Sequence, residues 1–393
     1  MDLARNPYYR YNSKLLIIIG QWPYQTSIRN HVHQFLVHLS IFSVILPQVI
    51  KMFESWGDVD IMIECFTPVG VQLIAVIKSV NCMINRRKIR LVADHMLNDW
   101  ATLNNEIELA KLKTFAEGSR KISIIYSSFL FGSLIIYLLI PMMPSILNVV
   151  LPLNTSRQRT YLYQTEYFVD SETYFWWIAL HTYFGTVLTI CTVVSVDAMF
   201  FTYIHHVCGL LAIVSEKIEK TSEKINWAKF DLNIPLAEDD FYEELKCCIR
   251  KHQDAIDLAK LIASSFSSSL LFELVIVMVL LSVSLVQLLL KLGQYDEMYR
   301  IIQFNAAQFF HLFFNSWPGQ KLIDSSVRFR ESVYYSGWHG FSSRSRSLLK
   351  IIMAGAREPL KITAYNFYDL SMENFGSILQ TSLSYFTVLA SLR

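Results

Sequence analysis

The sequence has no glycine-rich phosphate loop, no His/Cys set at metal-ligand spacing and no internal repeat. Enzyme and cofactor readings therefore have nothing to work with, and no cofactor or metal is expected. A secondary transporter, which pairs broken helices in two related halves, is disfavoured on the same ground. The pairs His31/His33 and His205/His206 sit at the ends of apolar stretches, where interfacial histidines are common. Cysteine is sparse: of the six, Cys65, Cys82, Cys191, Cys208, Cys247 and Cys248, none falls in a segment expected outside the cell, so no disulfide framework is expected. The adjacent Cys247-Cys248 lack zinc spacing and read as reduced packing thiols. A cleavable signal is missing too: the early apolar run Leu15 to Gly20 is shorter than a signal core and is closed by Gln21-Trp22-Pro23.

What the chain has is apolar length. Hydrophobic residues make up 53% and aromatics 14%, with only 13 glycines, a balance well above that of a soluble domain. A bilayer core about 30 Å thick takes roughly 20 mainly apolar residues per helix. Windows of that kind lie near residues 31–53, 61–83, 122–150, 173–213, 266–290, 298–318 and 372–392. The reading is an all-α polytopic membrane protein with seven transmembrane helices. The sixth window is interrupted by Gln303, Gln308 and His311, and the seventh carries six serine or threonine hydroxyls. Polar groups at such depth face protein or a water-filled path.

Charge distribution orients the bundle. Of 35 Lys plus Arg, 28 fall in residues 1–30, 84–121, 214–265 and 319–371. Six more flank the opposite ends, and Lys78 lies inside a span. The positive-inside rule places the N-terminus in the cytosol and, with seven spans, the C-terminus outside. The single sequon, Asn154-Thr155-Ser156, falls in the loop between the third and fourth spans. That loop is external on the charge argument, so Asn154 is expected to carry glycan.

Two segments project beyond the membrane. From Phe241 to Ser265, Leu245, Cys248, Ile249, Ile256, Ala259 and Ile262 recur at helical spacing, with charge opposite. A matching helix, Leu210 to Ile225, continues the fourth span, and Asn233 to Asp240, with Pro235, reads as an exposed loop. The apolar stripe favours a cytosolic packing module where subunits meet over an ordinary solvated helix pair. Residues 214–265 and 319–371 are accordingly read as cytosolic helical anchor segments of one continuous 1–393 unit. In the last segment, 372–393, Ser377, Thr381, Ser384, Val388 and Leu392 share an arc of roughly 80° on a helix. Deep hydroxyls with outer aliphatics suit one wall of a pore closed by an apolar ring. Helix packing by small polar residues would use the same pattern.

The ending Ser384-Tyr385-Phe386-Thr387-Val388-Leu389 resembles that of the insect odorant receptor family. So do Cys248-Ile249-Arg250-Lys251-His252-Gln253, the run Tyr163-Gln164-Thr165-Glu166-Tyr167-Phe168-Val169-Asp170, and His181-Thr182-Tyr183. The loop run and Asn85-Arg86-Arg87-Lys88 look most like receptors of ants, bees and wasps. The resemblance covers essentially the whole chain. It implies a subunit of a ligand-gated, non-selective cation channel, a heterotetramer with a shared co-receptor in the plasma membrane of olfactory neurons. Its partners would be the co-receptor, a small volatile ligand, permeating cations and lipid, with no nucleic acid. The co-receptor itself has a longer cytosolic insertion and a different ending from Ala390-Ser391-Leu392-Arg393, so a tuning subunit is expected. By position, Val388 and Leu392 match the family's outer-gate aliphatics.

A gustatory receptor is the nearest rival; its usual ending places Gln-Phe after the Tyr and apolar run. A G-protein-coupled receptor would need an external N-terminus, an external disulfide and a cytosolic tail, whereas this sequence ends within its seventh window. An odorant is small and apolar, so its pocket should be a mostly hydrophobic cavity in the outer half of the bundle. The expected contacts are Phe66, Val69 and Gln72 on the second span and Leu134, Tyr137, Leu138 and Met142 on the third. Trp177, His181 and Phe184 on the fourth and Phe304 and Gln308 on the sixth complete the set. Of these, His181, Tyr137 and Gln72 are the expected hydrogen-bond partners of a ketone, alcohol, ester or lactone.

Overall fold

The computed structural model describes residues 3–25, 28–103, 105–151, 157, 159–230, 238–365 and 367–391. Seven long helices form the bundle: α2 (Ile28–Glu54), α3 (Val59–Ile84), α5 (Glu106–Leu139), α7 (Phe175–Phe230), α8 (Glu238–Leu290), α9 (Tyr295–Tyr334) and α11 (Met372–Ser391). Shorter helices are α1 (Arg10–Ile18), α4 (Arg86–Thr102), α6 (Met143–Val150) and α10 (Ser343–Gly355). One small antiparallel pair, β1 (Thr363–Ala364) with β2 (Tyr368–Asp369), was not anticipated. Among the described residues, five stretches meet the length and apolarity of a membrane span: Asn30–Glu54, Val59–Ile84, Glu106–Val150, Phe175–Thr221 and Tyr242–Leu290. The sixth and seventh helices, α9 with 40 residues and α11 with 20, are more polar, as their sequences lead one to expect. The chain is a multi-pass membrane protein.

Local sequence sets the helix ends. Asp58 caps α3 by accepting from the N–H groups of Asp60 and Ile61, and Asn105 caps α5 through the N–H of Ile107 at 2.9 Å. Ser371 does the same for α11 through Asn374 N–H at 3.1 Å. The third window is not one helix to residue 150. It breaks at a short 3-10 turn, Ile140–Met142, because Pro141 and Pro144 each withdraw a backbone donor.

The two expected extensions exist, as uninterrupted continuations of α7 and α8. Most of the expected loop Asn233–Asp240 lies outside the described residues; Glu238, Asp239 and Asp240 instead begin α8. Leu245, Cys248 and Ile262 are 1% exposed or less. The stripe thus packs inside its own chain against α4, α7 and α10. It therefore gives no ground for a subunit contact, because the surface that suggested one is already buried.

Helix α1, the early apolar run, docks on α5 and α7: Asn12 Nδ2 donates to Ser123 Oγ at 3.1 Å, Thr202 Oγ1 at 2.7 Å and the Ala198 carbonyl at 3.1 Å. Two glycines allow close helix crossings. A Cβ at Gly185 would stand 2.5 Å from Val44 Cγ2 of α2, and one at Gly70 would stand 2.6 Å from Leu280 of α8.

A candidate ligand cavity above a buried charge cluster

A cavity of about 110 Å³ opens among α3, α5, α7 and α9, toward the end of the bundle that carries the 157–174 segment. It is of the scale of the roughly 150 Å³ apolar cavities that take up a single aromatic ring. Gln72, Leu134, Tyr137, Phe304 and Gln308 all line it, so five of the twelve sequence-selected positions, from three helices, meet at one place.

The other seven do not line it. Val69 is buried one face away, among Ile74, Val277 and Leu280. Leu138 packs by Leu162 and Tyr163, and Met142 sits in the 3-10 turn. Trp177 and Phe184 are 72% and 57% exposed, and Phe66 is 37% exposed. On α7 the inward face is Thr182, Thr186, Thr189 and Val193, spaced by three or four residues; His181 and Phe184 lie off that stripe.

His181 has a different task. Ser43 Oγ gives its hydrogen to the Ser40 carbonyl, so it accepts from His181 Nε2 at 2.8 Å. The remaining nitrogen, Nδ1, accepts from the Tyr167 hydroxyl at 2.7 Å. Burial pushes the Tyr167 phenol up to about 12, which keeps it a donor. The imidazole is thus fully occupied in clamping the 157–174 segment to α2.

Several lining residues were not foreseen: Tyr163, Thr186, Thr189, Gln303 and His311 among them. Tyr163 comes from the 157–174 segment and donates to Thr186 Oγ1 at 2.8 Å, whose own hydrogen goes to the Thr182 carbonyl. The threonine period on α7 was the available signal. A smaller chamber of about 50 Å³ adjoins the cavity across Pro68, Tyr137, Tyr163 and Phe304. Its rim is ionic: Glu64 pairs with Lys291 at 3.4 Å and Arg300 at 3.8 Å, and accepts from Gln164 at 3.2 Å.

His311 forms the floor of the cavity and the top of a buried charge cluster. Lys78 of α3 pairs with Asp197 of α7, and with Glu273 of α8 at 2.7 Å. The Tyr126 hydroxyl donates to Asp197 at 2.7 Å, so it accepts from His311 Nδ1 at 2.9 Å. His311 Nε2 meets Glu273 Oε1 at 2.6 Å, and Asn315 donates to that same oxygen at 2.8 Å. Both imidazole nitrogens therefore donate, as in a charged ring. Two cations balance two carboxylates. Ligand atoms of Asp197, Glu273 and His311 lie within 4.8 Å of one another, close enough for a metal, but the Lys78 ammonium already stands between the carboxylates.

On α11, Phe375, Ile378 and Ser382 are buried against α8 and α9. Ser377, Ser384 and Val388 are exposed and Thr381 is half-buried, so four of the five arc residues lie on the side without a partner in this chain. Leu392 and Asn154 lie outside the described residues. Ser377, Thr381 and Ser384 donate to carbonyls one turn back at 3.3, 2.8 and 2.9 Å, leaving oxygen lone pairs outward.

The fold and the sequence both have relatives. The chain is 24% identical to odorant receptor 13a of Drosophila melanogaster, with 95% of this chain and 92% of the relative aligned. It is 23% identical to odorant receptor Or2 of Anopheles gambiae over 92% and 93%. The solved olfactory receptor OR5 of Machilis hrabei in complex with eugenol superposes with a TM-score of 0.80 at 16% identity, covering 98% of this chain and 97% of that one. A family model described as the 7tm odorant receptor matches residues 59–383, and this chain belongs to that family.

Proposed function

We propose that this chain is the odorant-binding subunit of a ligand-gated, non-selective cation channel that works with a co-receptor in a heterotetramer. A volatile ligand occupies the cavity over His311, and the pore is lined by 372–393 from each subunit, with Val388 and Leu392 at the outer constriction. The observation that carries the reading is the pairing of a largely apolar cavity with an α11 whose hydroxyl and aliphatic face has no partner within the chain. Membership of a receptor family rather than an enzyme class accords with it. Residues 214–265 and 319–371 form a cytosolic anchor. The site of action is the plasma membrane of olfactory sensory neurons. Co-expression with a co-receptor in oocytes, screened against a chemically diverse volatile panel, tests it: evoked current should survive blockade of G-protein signalling, and current that vanishes with it would favour a G-protein-coupled receptor.

The orientation has the N-terminus in the cytosol and the C-terminus outside, supported by the basic residues around α4, the lower halves of α7 and α8, and α10. A tag after Arg393 should be reached by antibody on intact cells. Asn154→Gln should remove a glycan mass shift with little effect on gating. Staining of the tag only after permeabilisation would reverse the orientation.

Tuning should follow the cavity and not the exposed face of α7. Phe304→Ala removes a ring from the cavity wall and should favour bulkier ligands while maximal current holds. Phe184→Ala should leave the dose-response series for ligands of graded size unchanged, because that ring points away. A tuning shift with Phe184→Ala and none with Phe304→Ala would move the ligand site to the outer face of the bundle.

A further inference from the structure

The polar side chains that line the cavity are not balanced between donors and acceptors. Gln303 Nε2 donates to the Ser133 carbonyl at 2.6 Å, which only the nitrogen can do, so Gln303 Oε1 is fixed as an acceptor, and it has no partner in the protein. Gln308, 6% exposed, also has Oε1 without a partner, but no hydrogen bond from its nitrogen fixes the amide, which can present either end. On the opposite wall Gln48 Nε2 donates to the Val44 carbonyl at 2.9 Å and to Gln72 Oε1 at 3.2 Å. That chain leaves Gln72 Nε2, on a residue 2% exposed, as a buried donor without a partner. The hydroxyls of Thr186 and Thr189 are committed to carbonyls of their own helix. Tyr137 can donate or accept and does not discriminate. The cavity thus asks its ligand for a hydrogen to give to the Gln303 oxygen, which the Gln308 amide can also take, and can return one from Gln72.

We propose that the ligand class of this cavity is a small volatile carrying a hydroxyl, an alcohol or phenol, whose hydrogen goes to Gln303 or Gln308 and whose oxygen accepts from Gln72. The inference rests on the cavity being the odorant site. An aldehyde, ketone or ether can use Gln72 alone and buries the glutamine oxygens unpaired; a hydrocarbon uses none of them. Leaving a site's buried polar group unpaired is what separates a hydroxyl ligand from its aprotic analogue.

The test uses matched probes of nearly equal size: hexan-1-ol, hexanal and heptane, and p-cresol, 4-methylanisole and p-xylene. Two readouts are taken on the full chain with its co-receptor: evoked current in oocytes, and thermal stabilisation of the purified complex by each probe. In both, the hydroxyl member should be about tenfold more potent than its aprotic partners, which corresponds to about 1.4 kcal/mol. Gln303→Met should bring the alcohol-to-aldehyde ratio close to one while the aldehyde keeps its potency; Gln72→Met should weaken both. Equal or reversed potency of hydroxyl and aprotic probes in the parent protein overturns the proposal, and that comparison stands even where a variant does not reach the surface. An unchanged ratio in a well-expressed Gln303→Met overturns it as well. A hydroxyl preference in thermal stabilisation without any current supports the ligand class and counts against the channel reading. Stabilisation by none of the six probes overturns both the ligand class and the cavity as the odorant site.

Discussion

Lys78→Met should leave little folded protein at the cell surface. The substitution removes one cation from a cluster of two cations and two carboxylates and leaves Asp197 and Glu273, each about 3% exposed, with His311 as their only cation. Breaking a buried pair from one side costs about 3–5 kcal/mol, because the surviving charge has neither water nor partner. Set against a total stability of roughly 5–15 kcal/mol, that is a large fraction. Restoring neutrality should recover much of the loss: Lys78→Met with Asp197→Asn leaves one carboxylate for one imidazolium. The half-exposed pair Lys361–Asp369, 2.8 Å apart, is the control. There the same chemistry is worth at most about 1 kcal/mol, so Lys361→Met should be nearly silent. Surface biotinylation and thermal midpoints in detergent measure both. Parent-level surface protein from Lys78→Met would mean that water reaches the cluster and that its charges are not balanced by contact alone.

Val388→Asp should raise basal current. If the exposed face of α11 forms one wall of a narrow outer ring, closure depends on apolar side chains that a hydrated cation cannot cross, and a carboxylate there wets the ring. Val388→Ser should do so more weakly. In the proposed heteromer the co-receptor contributes other members of the ring, so an Asp from this subunit should also show as altered calcium permeability or divalent block. Leu392, one turn further out in sequence, should give a weaker leak. Phe386 is half-buried and off the arc, so Phe386→Ala should change expression or assembly instead. Recordings in which Val388→Asp leaves basal current, reversal potential and divalent block unchanged would mean that α11 packs against a neighbour without lining the ion path.

The cavity shows why some positions were legible and others were not. Gln72, Leu134, Tyr137, Phe304 and Gln308 each lie within about one turn of the middle of an apolar window, and depth can be counted along a sequence. The rotation of α7 about its axis cannot be counted so directly when most of its face is apolar. His181 drew attention as an expected hydrogen-bond partner of the ligand, yet Ser43 and Tyr167, 138 and 14 residues away, occupy both its nitrogens. The threonines at 182, 186 and 189 marked the inward face more reliably, since hydroxyls that bond their own helix are cheap to bury. The apolar stripe of α8 misled in a different way. Periodicity reports that a face is buried and is silent on whether the partner belongs to the same chain.

What the sequence determined by itself was the membrane character, the number and approximate limits of seven long helices, a basic side, and the family. All of these follow from lengths, periods and residue types counted along one dimension. Lys78 and His311 were also visible there inside apolar windows, and the cost of such groups in lipid implied partners. Which partners they found was decided only by tertiary structure. Lys78, Asp197, Glu273 and His311 come from four helices up to 233 residues apart, and Tyr126 from a fifth. Likewise the orphaned oxygens of Gln303 and Gln308 exist only because Ser133 and the cavity wall stand where they do. Hydrogen bonds and ion pairs act over about 3 Å and depend on direction, and the crossing and rotation of packed helices, which set those distances, are properties of the whole bundle and of no single segment.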